Sequence, residues 1–163
     1  MEYISLDTIP YYKECSPLVS GLGYVLVELC VVPQHGTIRV TAVISNPVSH
    51  TDSSTIGVND CAKVHRSLLP RLEAVLNSQD IYMEVTSPGM ERNIKNAAEF
   101  ALFIDRFVRV WDTEVTDWIP GKIVESNQES ITMEITQGNK NSAITELKTI
   151  PYVRIAKAKL LQI

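Results

Sequence analysis

Cysteine is scarce in this chain: three residues in 163, at positions 15, 30 and 61. An odd number at such wide spacing excludes a disulfide scaffold and is expected to give buried thiols in a reducing compartment. Glycine is scarce too, with seven residues, and no two of them stand three apart. That excludes a Gly-x-x-Gly loop clamping a nucleic-acid backbone. The glycine-rich phosphate loops Gly-x-x-x-x-Gly-Lys-Ser/Thr and Gly-x-Gly-x-x-Gly are also absent. The most apolar run, residues 24–33, is interrupted by Glu28, and a membrane span needs about 20 apolar residues. The first seven residues have neither a basic start nor an apolar block, so no signal peptide and a cytoplasmic location are expected. Finally, there is no basic excess: 15 Lys+Arg stand against 19 Asp+Glu, a net charge of −4 and a pI near 5.4. A generic nucleic-acid coater draws its affinity from such an excess, so any RNA contact must come from a local patch.

What is present is an ordinary globular composition, 45% apolar and 21% charged, which excludes a disordered polyelectrolyte. Residues 7–22 read as a helix, with Asp7 or Thr8 as cap, Pro10 in the first turn, and an end at Gly21 and Gly23. Residues 24–32 and 37–44 read as two strands of a hairpin around Pro33-Gln34-His35-Gly36. Residues 46–55 read as an exposed loop. Residues 56–78 give the strongest helical signal, a stripe of Cys61, Val64, Leu68, Leu72, Val75 and Leu76, with Gly57 or Asn59 as cap. Residues 81–86 read as a strand, and Pro88-Gly89 carries the signature of a type II turn. Then the grammar changes. A short helix at 96–104 precedes five strand-like runs, at 107–111, 118–124, 130–135, 142–147 and 153–160, which suggests a small barrel. The expected class is α+β: an α-β-β-α-β domain over residues 1–92, then a five-stranded barrel over residues 93–163.

Glu84-Val85-Thr86-Ser87-Pro88-Gly89-Met90-Glu91-Arg92 resembles the signature of the ribosome maturation factor RimP family. Gly21-Leu22-Gly23-Tyr24-Val25-Leu26-Val27, Asn59-Asp60-Cys61-Ala62-Lys63-Val64, Gly121-Lys122-Ile123 and Ile155-Ala156-Lys157-Ala158-Lys159-Leu160 are similar to further family segments, in order along the chain. Asp105 stands where the family usually has glycine. The resemblance implies KH-like topology for the first domain and an Sm/SH3-like barrel for the second. It also implies binding to the immature small ribosomal subunit, with 16S rRNA and ribosomal protein twelve of that subunit as partners.

Two places could carry contacts. The loop with Ser87, Pro88, Gly89, Arg92 and Lys95 is either a ribosome-contact surface or an interdomain hinge. Near the C-terminus, Lys148, Arg154, Lys157 and Lys159 against Glu146 form a local basic patch. Lys157 and Lys159 share a strand face by the period of two. Arg154, Lys157 and Lys159 are RNA-contact candidates, or else lysines guarding an edge strand. Trp111 and Trp118 are either a stacking platform for bases or packed in the core or a turn. Up to Asp80 the chain has 8 acidic and 5 basic residues, so the first half is expected to dock on a basic ribosomal protein.

Catalysis finds little support. Cys61 and His65 are four apart on a helix, but a structural zinc site needs four ligands. His35 and His50 lack a neighbouring nucleophile pattern, and the carboxylates are scattered. No catalytic residue, metal or cofactor is expected, and the chain is expected to be a monomer. The leading expectation is a non-enzymatic ribosome assembly factor. A stand-alone RNA-binding regulator using the barrel, and a small metal-dependent hydrolase, are the rivals.

Overall fold

The computed structural model describes residues 1–47, 56–89, 91–137 and 144–161. Contacts divide the chain into two units, Leu6–Pro88 and Met1–Ser5 with Gly89–Ile163.

In the first unit a 3-10 turn, Leu6–Thr8, precedes α1 (Tyr12–Gly21). The helix starts later than the expected residue 7. Pro10 disfavours helical backbone at the residue before it, and Tyr11 at φ 67° is left-handed. Its end is a Schellman motif: Tyr24 N–H donates to the Val19 carbonyl (3.1 Å) and Gly23 N–H to that of Ser20 (3.0 Å). Gly23 supplies the φ of +91° this requires. β1 (Val25–Gln34) and β2 (Thr37–Ser45) form the expected hairpin. His35 and Gly36, both at positive φ, turn the chain as a primed hairpin turn requires. Pro33 is tolerated because β1 is an edge strand.

The expected loop at 46–55 lies, from residue 48 onward, outside the described residues. α2 (Val58–Leu76) is capped at Gly57, whose N–H donates to Asp60 Oδ2 (2.8 Å). β3 (Ile81–Thr86) then pairs parallel to β2. Val64, Leu68 and Leu72 of α2 and Tyr12, Cys15 and Val19 of α1 close over Leu26, Leu29, Val40, Ala42, Ile44 and Met83 of the sheet. Three of the expected stripe positions are therefore buried, at the spacing of four that one helix face demands. All three thiols are free, but Cys30 is exposed rather than buried, because it points away from that core.

The second unit is an antiparallel sheet in the order β4-β9-β5-β6-β7-β8. Its strands are β4 (Glu91–Ile94), β5 (Phe107–Asp112), β6 (Asp117–Ser126), β7 (Ser130–Gln137), β8 (Ile144–Pro151) and β9 (Ile155–Leu161). Each of the five expected runs contains a strand, but residues 142 and 143 lie outside the described residues, and Val153 and Arg154 belong to a 3-10 turn, Tyr152–Arg154, that precedes β9. The expected closed barrel is not found among the described residues: an additional strand, β4, occupies the outer side of β9, and β4 and β8 are the two edges. The expected short helix is a 3-10 helix, Ala97–Phe103, which buries Phe100 and Phe103. Residues 1–5 strap onto this unit. The Glu2 carbonyl accepts from Ala97 N–H (2.9 Å), Asn96 exchanges two hydrogen bonds with the Ile4 backbone (2.9 and 2.7 Å), and Tyr3 stacks on Tyr152.

Two backbone positions carry predictions. A Cβ on Gly121 would lie 2.9 Å from the Glu134 carbonyl oxygen and 3.0 Å from Met133 Cε. Because the first obstacle is backbone, Gly121→Ala must push β6 off β7 and should cost about 1–3 kcal/mol in urea denaturation. Asp105 holds φ 66°, a left-handed value that costs a side chain about 1 kcal/mol. Asp105→Gly should therefore raise the urea midpoint, and a lower midpoint would contradict the strain.

Candidate nucleic-acid interface

The period of two builds a face on the second unit. In β5, Val108, Val110 and Asp112 are buried, so Phe107, Arg109 and Trp111 stand on the opposite side. In β6, Ile119, Gly121 and Ile123 point inward, leaving Trp118, Pro120 and Lys122 outward. In β9, Ala158 and Leu160 are inward, leaving Lys157 and Lys159 outward. Register brings these sets together. Trp111 lies opposite Trp118 on one side and Lys157 on the other, and Arg109 lies opposite Pro120 and Lys159.

The two indoles meet edge to face with centroids 5.7 Å apart. They are half-buried, and neither belongs to the buried core. Lys157 Nζ sits 5.3 Å from both ring centroids, and the Arg109 guanidinium carbon 4.6 Å from that of Trp118. These are cation–π distances. Beside them runs a shallow groove lined by Asn93, Lys95, Trp118, Lys157 and Lys159. Three lysines and no carboxylate side chain line it, together with Met1, on a chain whose net charge is −4. On the same outer face stands Glu91, whose Oε2 is 3.6 Å from Lys159 Nζ and 3.9 Å from Arg109 Nη2.

The residues singled out from sequence are thus sorted. Lys95, Lys157 and Lys159 come together at the groove. Arg92 does not: it stands on the other face of β4, where Nε (3.0 Å) and Nη2 (2.6 Å) both donate to Glu99 Oε1, and Glu99 is itself 5% exposed. Arg154 does not either. Its Nη2 donates to Asp112 Oδ2 (2.6 Å) and its Nε lies 3.0 Å from Glu114 Oε2. Ser87 and Gly89 are exposed and Pro88 is half-buried, where the chain leaves the first unit. Gly89 has the positive φ, 81°, expected after proline, while Met90 lies outside the described residues. Arg109 was missed, although the alternation from Phe107 to Trp111 already placed it on the indole's side. Its partners, Trp118 on β6 and Glu91 on β4, come from other strands.

Among the described residues, no three His, Cys, Asp or Glu side chains gather as metal ligands. His65 Nε2 lies 3.2 Å from the Met83 carbonyl, joining α2 to β3. No helix among the described residues is long and apolar enough to cross a membrane.

Asp112 anchors the face from beneath. It is fully buried, and its Oδ1 also accepts from Glu114 N–H (2.9 Å). The hydrogen bond from Arg154 holds its carboxyl below the usual carboxylate range. As pH falls below about 4, the unfolded chain therefore takes up this proton first. The stability it confers is present above that pH and lost on further acidification. Asp112→Asn should be less stable than the parent at pH 6. In thermal denaturation the gap should close towards pH 2.5, whereas a gap independent of pH would contradict the pairing.

Residues 14–91 match the family described as the RimP N-terminal domain. The matched span starts in α1, runs through the hairpin, α2 and β3, and reaches the first residue of β4. It takes in nearly all of the Leu6–Pro88 unit, including the Ser87-Pro88-Gly89 segment. Over that span the chain carries a RimP N-terminal domain, and this supports the RimP family.

Proposed function

We propose that this chain matures the small ribosomal subunit by binding its immature form in the cytoplasm, as a monomer, breaking no covalent bond itself. The observation that carries the reading is a cationic, aromatic groove on an acidic chain whose first unit is a RimP N-terminal domain. The groove is the contact for 16S rRNA, with Lys95, Lys157 and Lys159 reaching phosphates. Arg154 supports that contact from behind, through Asp112. The Leu6–Pro88 unit holds 8 acidic and 5 basic residues, a balance that suits docking on a basic protein such as ribosomal protein twelve of the small subunit. Its α-β-β-α-β order with a parallel β2–β3 pair is read as KH-like topology without the backbone clamp. The second unit is read as an Sm/SH3-like sheet left open between β4 and β8. Ser87, Pro88 and Gly89 form a second candidate contact, and Arg92 fixes β4 through Glu99 within the second unit.

Binding acts by differential affinity: a factor that holds the immature conformation more tightly shifts the population toward it and leaves when that surface disappears. In sucrose gradients of a lysate, the protein should travel with free small subunits and be absent from translating ribosomes. Recovery only at the top of the gradient would contradict the proposal and favour the stand-alone RNA regulator.

A further inference from the structure

The cations of the second unit are held with unequal firmness. Arg92 and Arg154 are locked, each 2.6 Å from a carboxylate oxygen. Arg109 and Lys159 are not. Their shared carboxylate, Glu91, lies at 3.9 and 3.6 Å and is 53% exposed, and an exposed pair at that separation holds little. The buried Nε of Arg109 has no hydrogen-bond partner among the described residues. Its guanidinium nevertheless stays in place, because it lies over Trp118 at 4.6 Å. The result is a planar guanidinium on an indole beside two lysines, with an acid loosely seated between the charges.

From this geometry we infer that the groove takes a short stretch of unpaired RNA, a base stacking on the Trp118–Arg109 platform and the flanking phosphates meeting Lys157 and Lys159, with Glu91 as the carboxylate that a phosphate displaces. This rests on the reading above that the groove faces rRNA, and it adds which form of RNA and which residue gates it. A duplex encloses the faces of its bases and would leave the indole and guanidinium planes without a partner. An unpaired strand offers both π-faces and phosphates. An acidic peptide would use the lysines alone. Glu91 tunes the site: while it stays, it takes part of the charge of two cations, and only a more concentrated negative charge replaces it.

The test uses the full chain. Its two tryptophans are Trp111 and Trp118, so intrinsic fluorescence reports on the site itself. An unstructured oligoribonucleotide, the same strand annealed to its complement, and a polyglutamate peptide are each titrated in, with anisotropy of a labelled strand as a second readout. The unpaired strand should quench the indoles and bind at least about fivefold more tightly than the duplex or the peptide. Glu91→Gln, at an exposed position, should tighten binding about three- to tenfold, and Lys157→Gln should lower the dependence on salt. Trp118→Leu should weaken binding about five- to thirtyfold, and Trp118→Phe should keep it within about twofold, which separates a lost stack from a lost fold.

Equal binding of duplex or peptide, or unchanged or weaker binding by Glu91→Gln, overturns the inference. If the protein travels with immature subunits yet the unpaired strand fails to quench it, this inference falls while the ribosomal reading stands.

Discussion

The buried Asp112 carboxylate fixes the outer face of β5, β6 and β9 in the second unit. It ends β5, accepts from the backbone of the turn that follows, and receives the Arg154 guanidinium just before β9 begins. Thr113 N–H donates to the Arg154 carbonyl beside it (2.8 Å). These bonds set where β9 enters the sheet, at a register shift between Trp111 and Asp112. From that entry point follow Lys157 opposite Trp111 and Lys159 opposite Arg109. A slip of one residue would turn both lysines into the core and bring Ala158 and Leu160 to the surface. The ion pair is therefore a register device before it is a source of stability. A buried pair is in general weak evidence for stability, whereas losing one partner leaves an uncompensated charge.

Charge is organised in the same spirit across the second unit. Two carboxylates that meet a cation at close range, Glu99 with Arg92 and Asp112 with Arg154, are buried and position backbone, while the exposed Glu114 adds a second partner to Arg154. Those that meet loosely, Glu91 with Arg109 and Lys159, lie on the outer face beside the indoles. An acidic chain can then present a local positive surface without a basic composition. On the proposed reading, contact with RNA is confined to that one face, since the net charge of the chain as a whole repels a polyanion.

Much of this was legible in the residues. The stripe of Val64, Leu68 and Leu72 fixed both α2 and its buried side, since only a helix brings positions four apart onto one line. The common face of Lys157 and Lys159 followed from the period of two. Other features had no local signal. The four residues of β4 are too few for alternation to show, and whether a sheet closes depends on which distant edges meet. The strap at residues 1–5 is held through backbone groups, one asparagine and a single stacked tyrosine, too few side chains to leave a hydrophobic pattern. Sequence also shows a charge but not its partner. Arg92 and Arg154 look as available as the lysines until the structure places Glu99 and Asp112 beside them. Asp105 marks the reverse case: its backbone is left-handed although a side chain is present.

The central claim is that the outer face of β5, β6 and β9 is the surface that meets RNA, while the acidic first unit meets protein. The most direct measurement is ultraviolet crosslinking of the full chain on immature small subunits, with mass spectrometry of the crosslinked peptides. The account predicts nucleotide adducts on peptides carrying Trp118, Lys157 and Lys159, and protein crosslinks on the Leu6–Pro88 unit. Nucleotide adducts confined to that first unit, with none on β5, β6 or β9, would contradict it.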